Sequence, residues 1–392
     1  MTTVGYQLQF QCAIEHEPWD LGHLLRQLRH HLPQTPRLRH FSESQIDFES
    51  AYRRLDHSAA RLLRSLGLLV QPCFSSAIAA VLLDCEVEQA TPAIQQLIQV
   101  GLLDPVSPTW YCLVHDTIRE QARSCLIEDD IEFRNSTRMR IIRWYLELCE
   151  QMNLCLDPAT RFQIALAARK GNSFVATLST GKRSESVAQT LFLLALDWFD
   201  EEKANLIWAI EWAHQAEAWD ITLRLTQSLV RFFDVKADWR NWEQTHLFAW
   251  DAAQMLRDRV QQAQILNSLG NVYLRQGQWQ RAQMRYDRAL QLCREQNLVL
   301  QEAQTLMNLG IVCRLEGQTE SAIDAWRGAI ALFPAGSIKR EKINKWMQSS
   351  TRLPLQTALE ELGTSANSHQ ILNAVGGAIR WLLHPGGLYP LW

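Results

Sequence analysis

Nowhere in this sequence do two cysteines form a Cys-x-x-Cys pair, and no histidine stands at zinc-ligand spacing from any of its nine cysteines. The common structural zinc modules are thereby excluded, and the expectation is of free, buried thiols in a reducing cytoplasm. Excess charge is also lacking. Lys and Arg number 39 against 42 Asp and Glu, a formal net charge of −3, so no global field draws the chain to nucleic acid or to an anionic membrane. The opening MTTVGYQLQFQCAIEHEPWD has no basic start followed by an apolar run, so no signal peptide is expected. An uncharged stretch from Ser65 to Leu83 is interrupted by Gly67, Gln71, Pro72, Ser75 and Ser76, and reads as core instead of a membrane span. A phosphate-cradling Gly-x-x-x-x-Gly-Lys-(Ser/Thr) loop is missing as well. Its nearest imitation, STGKRSE at 179–185, has Ala176 where the first glycine is required and Arg183 where a hydroxyl should follow the lysine. No catalytic constellation emerges, and the chain is expected to be no enzyme and to need no metal or cofactor.

What is present is enough apolar material for two or three packed units in 392 residues, 47% of them hydrophobic. Fifteen tryptophans, many at helical spacing beside small residues, predict large knobs in helix–helix seams. Two segments align with each other, AQILNSLGNVYLRQGQWQRAQMRYDRALQLC and AQTLMNLGIVCRLEGQTESAIDAWRGAIALFP. Gly270 and Gly310 are equivalent, so the period is 310 − 270 = 40. The first unit reads Leu266, Leu269, Gly270, Tyr273, Gly277, Ala282, Tyr286, Ala289. The second reads Leu306, Leu309, Gly310, Cys313, Gly317, Ala322, Trp326, Ala329, closed by Pro334. Leu266, Leu269 and Tyr273 share one helical face. Gly270 admits a close second helix, Gly277 ends the first, and Tyr286 fills the gap between Ala282 and Ala289.

This code resembles the tetratricopeptide repeat, in a form six residues longer whose excess is expected in inter-repeat linkers such as REQNLVLQEA. Forty residues upstream, Leu229, Phe233 and Ala249 hold the pattern while Trp242 replaces the small Ala282, which predicts a degenerate third helical pair.

In the first half, Leu55, Ala59, Leu62, Leu63 and Leu66 form a helical stripe stopped by Gly67. Thr91 and Pro92 read as an N-cap and first-turn pair, Ile94, Leu97 and Ile98 as a helix face, and Gly101 as its terminator. Trp110 to His115 reads as a strand, after which Asp116 caps a helix. Three helices with a hairpin predict a winged-helix-like domain. The residues Leu62, Leu66, Gly101, Leu102, Leu103, Val114, His115, Asp116, Arg119, Glu120 and Ala122, in that order, resemble the winged-helix segment of STAND-type NB-ARC regulators. Trp144, Tyr145, Trp198, Glu202, Asn205 and Leu206 resemble the helical spacer that such regulators place before their repeats. Upstream, Gly5 stands where that family's Gly-Leu-Pro-Leu motif would be. The resemblance implies that His115, with Asp116, senses a bound nucleotide diphosphate. On the residues alone, His115 ends a strand and Asp116 is an N-cap. The P-loop domain that the family carries is not in this sequence, so the chain is expected to be a fragment, a split gene or a degenerate relative.

The expected architecture is mainly α, a winged-helix-like domain followed by an α-solenoid of tetratricopeptide-like hairpins. Its parts are a helical remnant over 1–50, the winged helix over 51–130, a helical spacer over 131–220, and repeats with a C-terminal cap over 221–392. Asn267, Asn271 and Arg275 lie at i, i+4, i+8, a polar stripe beside the packing face. With Asn308, Arg314 and Arg231 they are the candidate groove for a protein or peptide partner. A winged helix also raises DNA binding, but TPAIQQLIQVG carries neither Lys nor Arg. The expected function is a non-catalytic, cytoplasmic sensing module with no nucleic-acid or membrane partner. The alternatives are a DNA-binding regulator and a split nucleotide-dependent switch with a separately encoded P-loop partner.

Overall fold

The computed structural model describes residues 48–156 and 185–350. The helical remnant over 1–47, most of the STGKRSE segment and the expected cap beyond 350 lie outside the described residues. The chain divides into two compact units between Trp212 and Ala213.

In the first unit, α1 (Phe48–Tyr52) and α2 (His57–Leu66) precede β1 (Cys73–Ser75), α3 (Ser76–Leu83) and α4 (Val87–Gln99). The hairpin β2 (Leu103–Ser107) and β3 (Trp110–Leu113) and the helix α5 (Asp116–Ile127) follow. The strands form an antiparallel sheet in the order β1-β3-β2. The uncharged stretch Ser65 to Leu83 thus supplies a helix end, a strand and a buried helix. Ala59, Leu62, Leu63 and Leu66 are buried as the stripe required, and Asp56 caps α2 by accepting the Ala59 N–H at 2.8 Å. Gly67 does more than end that helix. A Cβ there would lie 2.7 Å from the backbone nitrogen of Arg123, so α5 packs directly on it.

Three local expectations need correction. Helix α4 begins at Val87, not at Thr91, because Glu86 and Gln89 form a capping box, and the Thr91 hydroxyl donates back to the Val87 carbonyl at 3.1 Å. Pro92 therefore sits inside the helix. At the start of α5, His115 and not Asp116 is the N-cap; its side chain accepts the Thr117 N–H. Cys73 and Cys112, directly opposed on β1 and β3, are joined as a disulfide. Their pairing depends on a strand register between residues 39 apart, which spacing alone does not reveal. The other cysteines among the described residues are free; Cys85 and Cys125 are half-buried, and Cys149, Cys155, Cys293 and Cys313 are buried.

Two long helices complete this unit, α6 (Ile131–Leu156) and α7 (Glu185–Gln215), the latter running across the boundary at Trp212. The spacer residues singled out by sequence form its hub. Glu202 is buried and accepts from Tyr145 Oη and Asn205 Nδ2, both at 2.8 Å. Asn205 Oδ1 in turn accepts the backbone N–H groups of Val70 and Gln71. Arg119 donates to the Val70 carbonyl and Arg123 to that of Gly67. The loop after α2 is thus held from two sides. Burial raises the Glu202 carboxyl above its usual range, and no cation lies among its hydrogen-bond partners.

The second unit is an array of helices of nearly one length. They are α8 (Trp219–Lys236), α9 (Trp239–Met255), α10 (Arg259–Arg275), α11 (Trp279–Glu295), α12 (Val299–Leu315), α13 (Thr319–Leu332) and α14 (Ile338–Ser350). Between them recurs one turn, in which the residue at positive φ is Glu217, Ala237, Arg257, Gly277, Asn297 or Gly317, each 20 after the last (237 − 217 = 20). In every case the next N–H returns to a carbonyl five residues back, as from Gln278 to Tyr273 and from Leu298 to Cys293, both at 2.8 Å. The 40-residue period is therefore two equal halves. Contrary to expectation, the linker REQNLVLQEA is not the site of the extra length. Only Gln296, Asn297 and Leu298 of it are turn, and the additional residues lengthen the helices instead, which are 17 residues each from α9 to α12.

Between paired helices the small-to-large code holds. A Cβ on Gly270 would lie within 3 Å of the Tyr286 ring, and one on Gly310 within 3 Å of the Trp326 ring. Ala282, Ala289, Ala322 and Ala329 are fully buried. In the α8/α9 pair the sizes are redistributed. Val230 and His246 stand at the positions of Gly270 and Tyr286, and Trp242 at that of Ala282. The buried Trp242 Nε1–H donates to Ser268 Oγ at 3.0 Å. Ser268 Oγ lies 2.8 Å from His246 Nε2, and His246 Nδ1 lies 3.0 Å from the Trp242 carbonyl. A neutral imidazole protonated at Nδ1 satisfies all three contacts. Burial accordingly pushes its pKa down to about 3.

Two predictions follow from this packing. Gly270→Ala should cost about 1–3 kcal/mol in urea unfolding, because the added methyl must displace a ring held between two alanines. Gly277→Ala, with open space around the position, should cost only the left-handed conformation, about 1 kcal/mol. Equal losses would refute the packing assignment. For His246, the folded state binds its proton far more weakly than the unfolded chain, whose imidazole titrates near 6.5. Its contribution to stability should be lost as pH falls from about 6.5 toward 3, at up to ~1.4 kcal/mol per pH unit. His246→Gln should flatten that slope in pH-dependent unfolding.

Candidate functional site

The polar residues expected to line a groove are not a solvated stripe. Asn271 and Asn308 are fully buried, Arg231, Asn267, Arg275 and Arg314 half-buried, and together they run as a ladder along the first helices of successive pairs, α8, α10 and α12. Asn308 Nδ2 donates to Asn271 Oδ1 at 3.0 Å and to Asn267 Oδ1 at 3.3 Å. Gln304 Nε2 donates to Asn308 Oδ1 at 3.1 Å, and Lys339 of α14 donates to Gln304 Oε1. Tyr286, the knob against Gly270, donates its hydroxyl to Asn271 Oδ1 at 2.7 Å. At the other end Arg275 pairs with Asp234 of α8 at 3.1 Å, with 10% and 14% of the two side chains exposed. Burial raises the Asp234 carboxyl, and the Arg275 and Arg231 charges oppose that shift. Burial likewise pushes the Lys339 ammonium down to about 8.

The ladder has two open ends of its own. Asn271 Nδ2 and Gln264 Oε1 are buried atoms with no hydrogen-bond partner. Residues 264, 267 and 271 fall at i, i+3, i+7, one face of α10. Sequence reasoning found Asn271 but missed Gln264, which the same spacing would have included.

The other candidate stands apart from this ladder, in the first unit. His115 is exposed, and its Nδ1 is engaged by the Thr117 N–H at 3.2 Å and lies 2.9 Å from the Thr117 hydroxyl. Asp116 pairs with Arg119 at 3.2 Å. The pair does the work of a helix start. Among the described residues, no group of three or more His, Cys, Asp or Glu could hold a metal ion, and no helix is long and apolar enough to cross a membrane.

Comparison with known proteins gives this geometry a class. Residues 261–335 match the tetratricopeptide repeat family, so the second unit carries tetratricopeptide repeats. Beyond them, the chain is similar to regulatory protein AfsR of Streptomyces griseus, 25% identical over 301 residues, and to that of Streptomyces coelicolor, 24% identical over 293. Each alignment takes in 74% of this chain but only 29% and 28% of the relative, so the chain spans less than a third of those proteins. Among solved structures, a STAND (signal transduction ATPase with numerous domains) protein with a tetratricopeptide repeat sensor from Pyrococcus horikoshii aligns with 89% of this chain and 60% of its own, at 14% identity and a TM-score of 0.32. BtubC from P. vanneervenii aligns with 52% of this chain and 91% of its own, at 21% identity and a TM-score of 0.29. Scores so low do not establish a shared fold.

Because the ladder is buried, its loss should unfold the array. Asn271→Ala strands the Tyr286 hydroxyl and should cost about 1–3 kcal/mol. Arg275→Ala removes the closer of the two cations facing the buried Asp234, leaving Arg231, and should cost about 1–3 kcal/mol. Melting temperatures unchanged in both variants would return these residues to a solvated face.

Proposed function

We propose that the chain is the non-catalytic, signal-sensing part of a STAND-like regulator, and that its repeats bind a protein or peptide through the α10 and α12 first-helix faces. One observation carries this reading: the half-buried Arg231, Asn267 and Arg314 lie along the first helices of successive pairs, beside the buried amide ladder, within or next to the residues that match the tetratricopeptide repeat. Arg231 and Arg314, at the two ends of the ladder, extend the same surface. The similarity to AfsR supports a regulatory role. In this reading residues 51–130 are a winged-helix-like domain and 131–220 a spacer between it and the repeats. Recognition of DNA is not favoured, since α4 carries no Lys or Arg. A nucleotide-sensing role for His115 and Asp116 would require a P-loop domain beyond these 392 residues, such as a separately encoded partner, because the residues given hold no phosphate cradle. The setting we assign is the cytoplasm; the Cys73–Cys112 bridge is the feature that speaks against a uniformly reducing one.

A photo-crosslinking amino acid at Asn267, between the two unpaired groups, should trap a partner in cells, whereas one at Met284, 64% exposed on the second helix α11, should not. Adducts at Met284 alone, or equal at both positions, would move recognition away from the first-helix face.

A further inference from the structure

Several arginines of the first unit have an acid beside them. Arg64 pairs with Asp129 at 2.7 Å, Arg119 with Asp116 at 3.2 Å and Arg140 with Asp84 at 3.3 Å. Three others are gathered without one. Arg134 and Arg138 lie one turn apart on α6, and the charge of Arg123 on α5 acts on Arg138. No ion pair joins any of the three to a carboxylate among the described residues. The Nε atoms of Arg134 and Arg138 are buried and have no hydrogen-bond partner. Arg123 donates its Nε to the Gly67 carbonyl at 3.0 Å, which leaves its two terminal nitrogens without a protein partner among the described residues. The Arg138 guanidinium carbon lies 3.4 Å from the centre of the Trp212 ring. That contact holds a planar fork in place, as cation–π stacking does, while its N–H edge remains available. Burial and the neighbouring charges of Arg134 and Arg123 push the Arg138 pKa down to about 10, so it remains protonated at neutral pH under like-charge crowding. Such crowding is unfavourable unless something anionic relieves it.

We propose that Arg123, Arg134 and Arg138 form a binding site for a compact multivalent oxyanion of the phosphate or pyrophosphate kind, with Trp212 as the platform that orients Arg138. Neighbouring guanidinium forks suit a tetrahedral oxyanion, whose several oxygens can accept bonds from more than one arginine at once. A single carboxylate has too few oxygens and too little charge to engage all three.

The test is calorimetric titration of the full chain with inorganic pyrophosphate, with melting curves at matched ionic strength. Saturable binding is expected, together with a rise in melting temperature that sodium chloride of equal ionic strength does not reproduce. Arg134→Gln should weaken binding by about tenfold or more. The unliganded variant should melt no lower than the parent, because the substitution relieves repulsion. Arg138→Lys, which keeps the charge and loses the fork, should weaken binding as well. Competition by a phosphoserine peptide would place the phosphoryl group on a protein, and its failure to compete would point to a free anion; both outcomes keep the site. Absence of saturable binding, an Arg134→Gln variant that binds like the parent, or equal stabilisation by chloride would overturn it.

Discussion

How closely two helices of a pair can approach decides nearly everything else in the second unit. Where Gly270 and Gly310 stand, no side chain separates the first helix from the ring on the second, and Tyr286 and Trp326 lie against bare backbone. That closeness brings the polar ends of the rings within hydrogen-bond reach of the first helix. Tyr286 reaches Asn271, and the Trp326 Nε1–H reaches the Met307 carbonyl at 3.1 Å. The ladder that joins Asn271, Asn308 and Gln304 is therefore anchored in the apolar seam by the same contact that holds the pair together. A buried polar network of this kind is costly when incomplete, so the pairs are fixed in register as well as in distance.

The α8/α9 pair shows a second solution to the same constraint. With Val230 in place of the glycine, no large ring fits opposite, and the bulk moves one turn along the second helix to Trp242. The space left is filled by His246, which stays neutral and shares Ser268 with the indole. Degeneracy in the sequence pattern is here a redistribution of volume, not a loss of packing.

Much of this was legible in the sequence. The period of 40 and the buried Leu266, Leu269, Tyr273 and Tyr286 follow from helical spacing and residue size, while Trp144, Tyr145, Trp198, Glu202, Asn205 and Leu206 stood out only through the family resemblance. What spacing could not supply was the partner of each polar group. Asn267, Asn271 and Arg275 read as solvated because their partners come from other helices, 15 to 41 residues away. The Cys73–Cys112 bridge was hidden for the same reason. The start of α4 was misplaced because Glu86 and Gln89 form a capping box without the usual Ser, Thr, Asp or Asn. The location of the extra repeat length was misjudged because four of the six recurring turns use Glu217, Ala237, Arg257 and Asn297, and only two the glycine that marks a turn to the eye.

The equal halves of the repeat constrain how such a chain changes length. Each step of 20 residues reverses the direction of travel, so helices 40 apart are equivalent and helices 20 apart are opposite. Removal of a single helix and its turn would exchange first and second faces in everything downstream, turning the polar ladder to the side now occupied by Met284. Gain or loss of 40 would leave every later residue on its own face. The array can therefore be lengthened or shortened only in whole pairs, and its polar ladder grows by one rung at a time.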